Sequence, residues 1–91
     1  MVVSLDEIKL YLRIDGDEEN TLITNFITTA EEICEGILRY PLSEFTAIPD
    51  TLKQAVFYAV ANMYEKRENF EVKEVLETMT RLLFYYRSEG W

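Results

Sequence analysis

The stretch Leu22-Ile23-Thr24-Asn25-Phe26-Ile27-Thr28-Thr29-Ala30-Glu31-Glu32-Ile33-Cys34-Glu35-Gly36-Ile37-Leu38-Arg39 decides the fold class. Its apolar residues fall in two adjacent rows at helical spacing: Leu22, Phe26, Ala30, Ile33 and Ile37 in one, Ile23, Ile27, Cys34 and Leu38 in the other. Together they form a stripe wide enough to need a second layer packed against it, with both rows expected in the core. The pattern predicts a helix over about 18–39, roughly 30 Å long at 1.5 Å per residue. Asp15 or Asp17 is available as its N-cap, and Glu18 and Glu19 lie at the positive end of its dipole. Glu35 and Arg39 are spaced for an ion pair four residues apart.

Upstream, Ser4-Leu5-Asp6-Glu7 is a capping box, and Leu5, Ile8 and Leu12, with Tyr11, follow at helical spacing, predicting a helix over 5–13. Downstream, Pro41 is expected to stop the long helix, because the residue before a proline is pushed out of the helical region. Residues 41–48 form a connector, and Pro49 suits the first turn of a third helix over 50–68 carrying Leu52, Ala55, Val56, Ala59, Val60, Met63 and Tyr64. A fourth helix follows Glu71, with Val72, Val75, Leu76, Met79, Leu82, Leu83 and Tyr86. The expectation is all-α: a compact bundle of four helices, one short and N-terminal, two long and central, one C-terminal, forming one domain over residues 1–91.

Composition limits what such a bundle does. With 48% apolar residues the 91-residue chain has enough to fold, which argues against disorder. Nine basic against 17 acidic residues give a net charge of −8, which argues against a free-standing nucleic-acid binder, since that needs a basic footprint. The opening residues have no basic region followed by an apolar one, and the longest apolar run, Ala55 to Ala61, is far short of the ~20 residues that span a bilayer. Synthesis in a reducing cytoplasm and no membrane association are therefore expected. Cys34 is alone, cannot form an internal disulfide, and sits on the apolar stripe as a small core residue.

Catalytic and metal-binding patterns are sparse. Without histidine there is no Ser-His-Asp triad and no usual zinc site. Glu31 and Glu35 share a helix face, but the histidine of a Glu-x-x-His site is missing, so a solvated face is the simpler reading. The acidic loop from Asp15 fails as a calcium loop, with Asn20 where glycine belongs and Phe26 where glutamate belongs. No catalytic residue, metal or cofactor is expected. The aromatic clusters are different. Phe57, Tyr58 and Tyr64 lie on the third helix, while Phe84, Tyr85, Tyr86 and Trp91 crowd the C-terminus. Three consecutive aromatics on a helix advance by about 100° each and cannot all enter one small core. Either a second layer of the chain covers them, as part of the core, or another subunit does; with Arg67 and Arg87 they are the candidate interface, tyrosine, tryptophan and arginine being enriched in binding hot spots.

The order of these features resembles the bacteriophage head–tail connector (adaptor) family, the gp6-like proteins often labelled phage DNA packaging proteins. Leu5-x-x-Ile8-Lys9-x-x-Leu12-Arg13-Ile14-Asp15 is similar to the family's opening. Asp17-Glu18-Glu19-Asn20 before Leu22-Ile23 matches its acidic turn ahead of the long helix. Ala55-Val56-Phe57-Tyr58-Ala59-Val60-Ala61-Asn62-Met63-Tyr64-Glu65-Lys66-Arg67-Glu68 resembles its alanine-rich helix, and Leu82-Leu83-Phe84-Tyr85-Tyr86-Arg87 its tail. Many members carry a longer segment between the second and third helices than residues 41–48 provide.

The resemblance implies a non-enzymatic virion protein at the head–tail junction, present in the host cytoplasm during assembly. It would bind the portal protein, form a ring through contacts between unlike faces of neighbouring copies, and receive a neck or tail-completion protein. The second and third helices would be the walls of the ring, and residues 79–91 an arm toward portal or neighbour. DNA would pass through without specific binding. Acidity suits that passage, residues 1–40 holding nine acidic against three basic residues, because carboxylates around a channel repel phosphates. The alternative is a small helical interaction module, antitoxin-like or regulatory, that clamps one partner with its aromatic tail.

Overall fold

A computed structural model of the protein describes residues 2–66 and 71–86. Helix α1 (Leu5–Leu12) starts where the capping box places it: the Glu7 amide donates to Ser4 Oγ at 3.0 Å, and the Ser4 amide donates to Glu7 Oε1 at 2.9 Å. It ends in a left-handed turn at Arg13 (φ 60°), whose amide reaches the Leu10 and Lys9 carbonyls while the Ile14 amide donates back to Lys9. These bonds satisfy carbonyls that the last helical turn leaves open.

Helix α2 (Asn20–Leu38) is shorter at both ends than its apolar pattern predicts, and each difference has a local cause. Neither Asp15 nor Asp17 caps it; Glu19 occupies the N-cap position without a side-chain capping bond. Asp17 instead receives the Lys9 ammonium at 2.7 Å, a cation whose side chain is only 13% exposed and so gains most from a carboxylate partner. At the other end the chain turns left-handed at Arg39 (φ 68°), so the helix closes before the constraint of Pro41 is felt. No ion pair joins Glu35 to Arg39 among the described residues; Glu35 Oε2 accepts from the Leu42 amide at 2.8 Å, holding the short 3₁₀ turn Leu42–Glu44 against α2.

Helix α3 (Asp50–Glu65) has Pro49 as its N-cap, one position before the first turn, with the Pro49 carbonyl accepting from Leu52 and Lys53. Helix α4 (Val72–Leu83) runs into a 3₁₀ turn at Phe84–Tyr86. The expected all-α bundle of four helices is the observed fold. Helix α3 is its centre, packing against α2 and α4, and the small Ala55 and Ala59 on its buried face let neighbouring backbones approach.

The buried residues form one cluster: Val3 and Ile8; Ile23, Ile27, Ala30, Cys34 and Leu38 of α2; Leu52, Ala55, Val56, Ala59, Val60 and Met63 of α3; Val75, Met79 and Leu83 of α4. Of the two α2 rows, only the one running through Ile23 and Ile27 is fully enclosed. Leu22, Phe26, Ile33 and Ile37 are half-buried on its flank, because the partner layer centres on the Ile23 side. Each fully enclosed isoleucine or leucine contributes about 1.5–3 kcal/mol relative to exposure. No polar or charged residue is buried among the described residues.

Candidate interaction surface

The sequence-predicted interface residues separate by what they touch. Phe57 is half-buried under Tyr11 of α1, the rings stacked at 4.9 Å and 8°. The Tyr58 hydroxyl bonds Thr78 Oγ1 at 3.2 Å, tying α3 to α4. The Tyr64 hydroxyl donates to Glu19 Oε1 at 2.8 Å and links the end of α3 to the start of α2. Tyr86 is half-buried at the corner where α2 meets its connector. Its ring meets Phe45 edge-on at 6.1 Å, Phe45 in turn touches Tyr40 at 5.6 Å, and the Tyr40 hydroxyl donates to the Tyr86 carbonyl. Burial, then the nearby Glu44 carboxylate, pushes the Tyr40 phenol above its usual range, so it remains a donor at neutral pH.

That anchorage turns the next two rings outward: Phe84 is 67% and Tyr85 80% exposed. Three consecutive aromatics thus divide, one held by the bundle and two presented at its surface, as their angular spacing requires. Arg67, Arg87 and Trp91 lie outside the described residues.

Sequence reasoning missed other surface apolar groups. Leu10, 82% exposed, falls off the Leu5–Ile8–Leu12 row, and that break in spacing was the available signal. Val72 and Leu76 also face outward, since α4 buries its Val75–Met79–Leu83 row instead. Val72, Leu76 and Thr80 recur every four residues and line a groove with Lys73, Glu77 and Arg81.

Glu31 and Glu35 are also more than a solvated face. Glu31 Oε2 accepts from the Val2 amide at 2.6 Å, so the two carboxylates clamp chain segments on either side of α2. With Glu32 and Thr28 they rim a shallow groove floored by Val2, Leu42 and Ile48. Among the described residues no group of three or more Cys, Asp or Glu side chains is placed to hold a metal ion. Cys34 is enclosed, and its thiol is pushed up to about 12 by burial and then by the Glu31 and Glu35 carboxylates, so it stays neutral and unreactive.

Helices packed around α3, with aromatic, aliphatic and charged groups left on the outside, define a small all-α bundle. The family model for the phage gp6-like head-tail connector protein matches residues 2–87, nearly the whole chain, and the protein belongs to that family. Comparison with curated proteins and with solved structures gave no match. As a head–tail connector the chain is a structural component of the phage particle that interacts with other head and tail proteins. No helix among the described residues is long and apolar enough to cross a membrane.

Proposed function

We propose that this protein acts as one domain that joins the portal vertex of the filled head to the neck or tail by forming a ring through which DNA passes. The family match over residues 2–87 carries this reading. Two features support it. Phe84 and Tyr85 stand outside the bundle on an anchored turn, giving rigid aromatic contact groups at little entropic cost. The net charge of −8, repeated around a channel, repels the phosphate backbone and keeps DNA from sticking as it passes. Assembly takes place in the host cytoplasm, with the portal protein on one side and a neck or tail-completion protein on the other.

The test is to mix the purified chain with its cognate portal and examine the product by mass photometry and electron microscopy. A closed ring of this chain seated on the portal is the expected outcome. Monomer alone in the presence of portal, or a one-to-one complex with a single partner, overturns the proposal.

A further inference from the structure

We propose that the groove on the outer face of α4 docks against the carboxylate-rimmed flank of α2 on a second copy of this chain, head to tail. The inference rests on the ring reading above and assigns the two faces that meet.

On α4, Val72 and Leu76 are 52% and 37% exposed, a continuous apolar strip for an outward helix face. Lys73 and Arg81 flank it, and among the described residues neither is in an ion pair, whereas Lys9 and Lys53 are engaged with Asp17 and Glu7. Glu77 lies between them on the same face, so the strip offers apolar contact together with two cations and one carboxylate, a positive balance of one.

On α2, Thr28, Glu31, Glu32 and Glu35 share one helix face at spacings of three and four residues. Glu31 and Glu35 are fixed by their bonds to the Val2 and Leu42 amides, so that flank is held in shape before any partner arrives. Glu32 is exposed and has no hydrogen-bond or ion-pair partner among the described residues. Between the carboxylates the floor is apolar, from Val2, Leu42 and Ile48. Each groove thus combines an apolar floor with a charged rim; the α4 rim is mixed, with Glu77 between its two cations, and positive in balance, while the α2 rim carries only carboxylates.

The overall charge makes this pairing selective. Two copies at −8 repel wherever their surfaces meet without compensation. Contact between copies is favoured where cations of one face carboxylates of the other, and like charges brought together are penalised. The two grooves share no residue and lie on different helices, as an interface between unlike faces requires.

Charge exchange tests the pairing. Glu32 and Arg81 are both exposed, so Glu32→Lys and Arg81→Glu should keep the wild-type helical circular dichroism. Each variant alone is expected to assemble about tenfold or more weakly than wild type in sedimentation velocity, because like charges then face each other. An equimolar mixture should regain assembly with the two variants alternating, since both junctions in such a chain again pair opposite charges. Wild-type assembly should weaken as salt is raised, whereas Glu32→Gln should show a smaller salt dependence. Wild-type-like assembly of each variant alone would give the α4 groove to another occupant, such as the portal or residues 87–91, and overturn the pairing while leaving the ring intact. A mixture that stays dissociated overturns it too. Wild-type chain that stays monomeric even with portal removes the ring reading itself.

Discussion

Phe26 and Ile27 are neighbours in sequence, and the structure gives them unequal shares of the core. Ile27 is fully enclosed, while Phe26 is half-buried on the flank of α2. Replacing Ile27 with alanine removes three carbons, worth about 2.4 kcal/mol at ~0.8 kcal/mol each. It also leaves a cavity closed on all sides; at ~24 cal/mol per Å³, a residual void of about 60 Å³ adds roughly 1.5 kcal/mol. Ile27→Ala should therefore cost about 4 kcal/mol. Phe26→Ala removes more carbons, but the space it vacates opens to solvent, and about half of the 3–5 kcal/mol of a fully buried phenylalanine, roughly 2 kcal/mol, is expected. A chain of this length has about 5–14 kcal/mol in all, so the first variant should lose a large share of its stability and the second about half as much. Urea titrations followed by circular dichroism at the helical minimum measure both, provided the slopes agree. If Phe26→Ala proves as costly as Ile27→Ala, the enclosed face of α2 is the other row, and the packing described above is wrong.

Tyr40→Phe removes the hydroxyl that holds the Tyr86 carbonyl and should cost about 1 kcal/mol, whereas Tyr85→Ala should stay within about 0.5 kcal/mol in the same titration; equal losses would contradict the division of the aromatic turn. Cys34 should resist thiol-reactive reagents in the native state and react fully in denaturant, and fast native labelling would contradict its enclosure. Because its folded thiol titrates above the ordinary 9.0, its contribution to stability is complete below that value and is lost as pH rises toward about 12, a loss that Cys34→Ala should remove. In acid the sign reverses. The Ser4 amide bonded to Glu7 and the Lys9 ammonium bonded to Asp17 hold these carboxyls below their ordinary 4.5 and 3.8. The stability they provide is present above those values and is lost as pH falls through the lower folded ones, so the urea midpoint should drop in that window and Asp17→Asn should flatten part of the drop. An unchanged acid profile in that variant would remove Asp17 from the account.

Local rules were fully legible at the start of α1. Ser4 and Glu7 are three residues apart, and the two reciprocal bonds of the capping box need nothing from the rest of the chain. The start of α2 was not legible in this way. Asp17 is as good an N-cap as Ser4 by residue type, but Lys9, eight positions away, takes its carboxylate once α1 has folded. The end of α2 misled for a similar reason: Glu35 suits Arg39 by spacing, yet the turn at Arg39 brings the Leu42 amide within reach instead. The aromatic cluster was legible only as a constraint. Angular spacing required Phe84, Tyr85 and Tyr86 to diverge, and which of them turned inward depended on Tyr40 and Phe45, more than forty residues earlier.

Apolar spacing, two prolines and a capping box are properties of short windows, so the chain by itself determined that this protein is built from four helices and roughly where each begins and ends. Its family, too, was readable from motifs in order along the chain. Tertiary structure alone decided which row of α2 is enclosed, which apolar residues of α4 remain outside, and which carboxylates are tied to amides. Those outcomes depend on the face each helix turns toward its neighbours, a relation between distant segments that no local window contains.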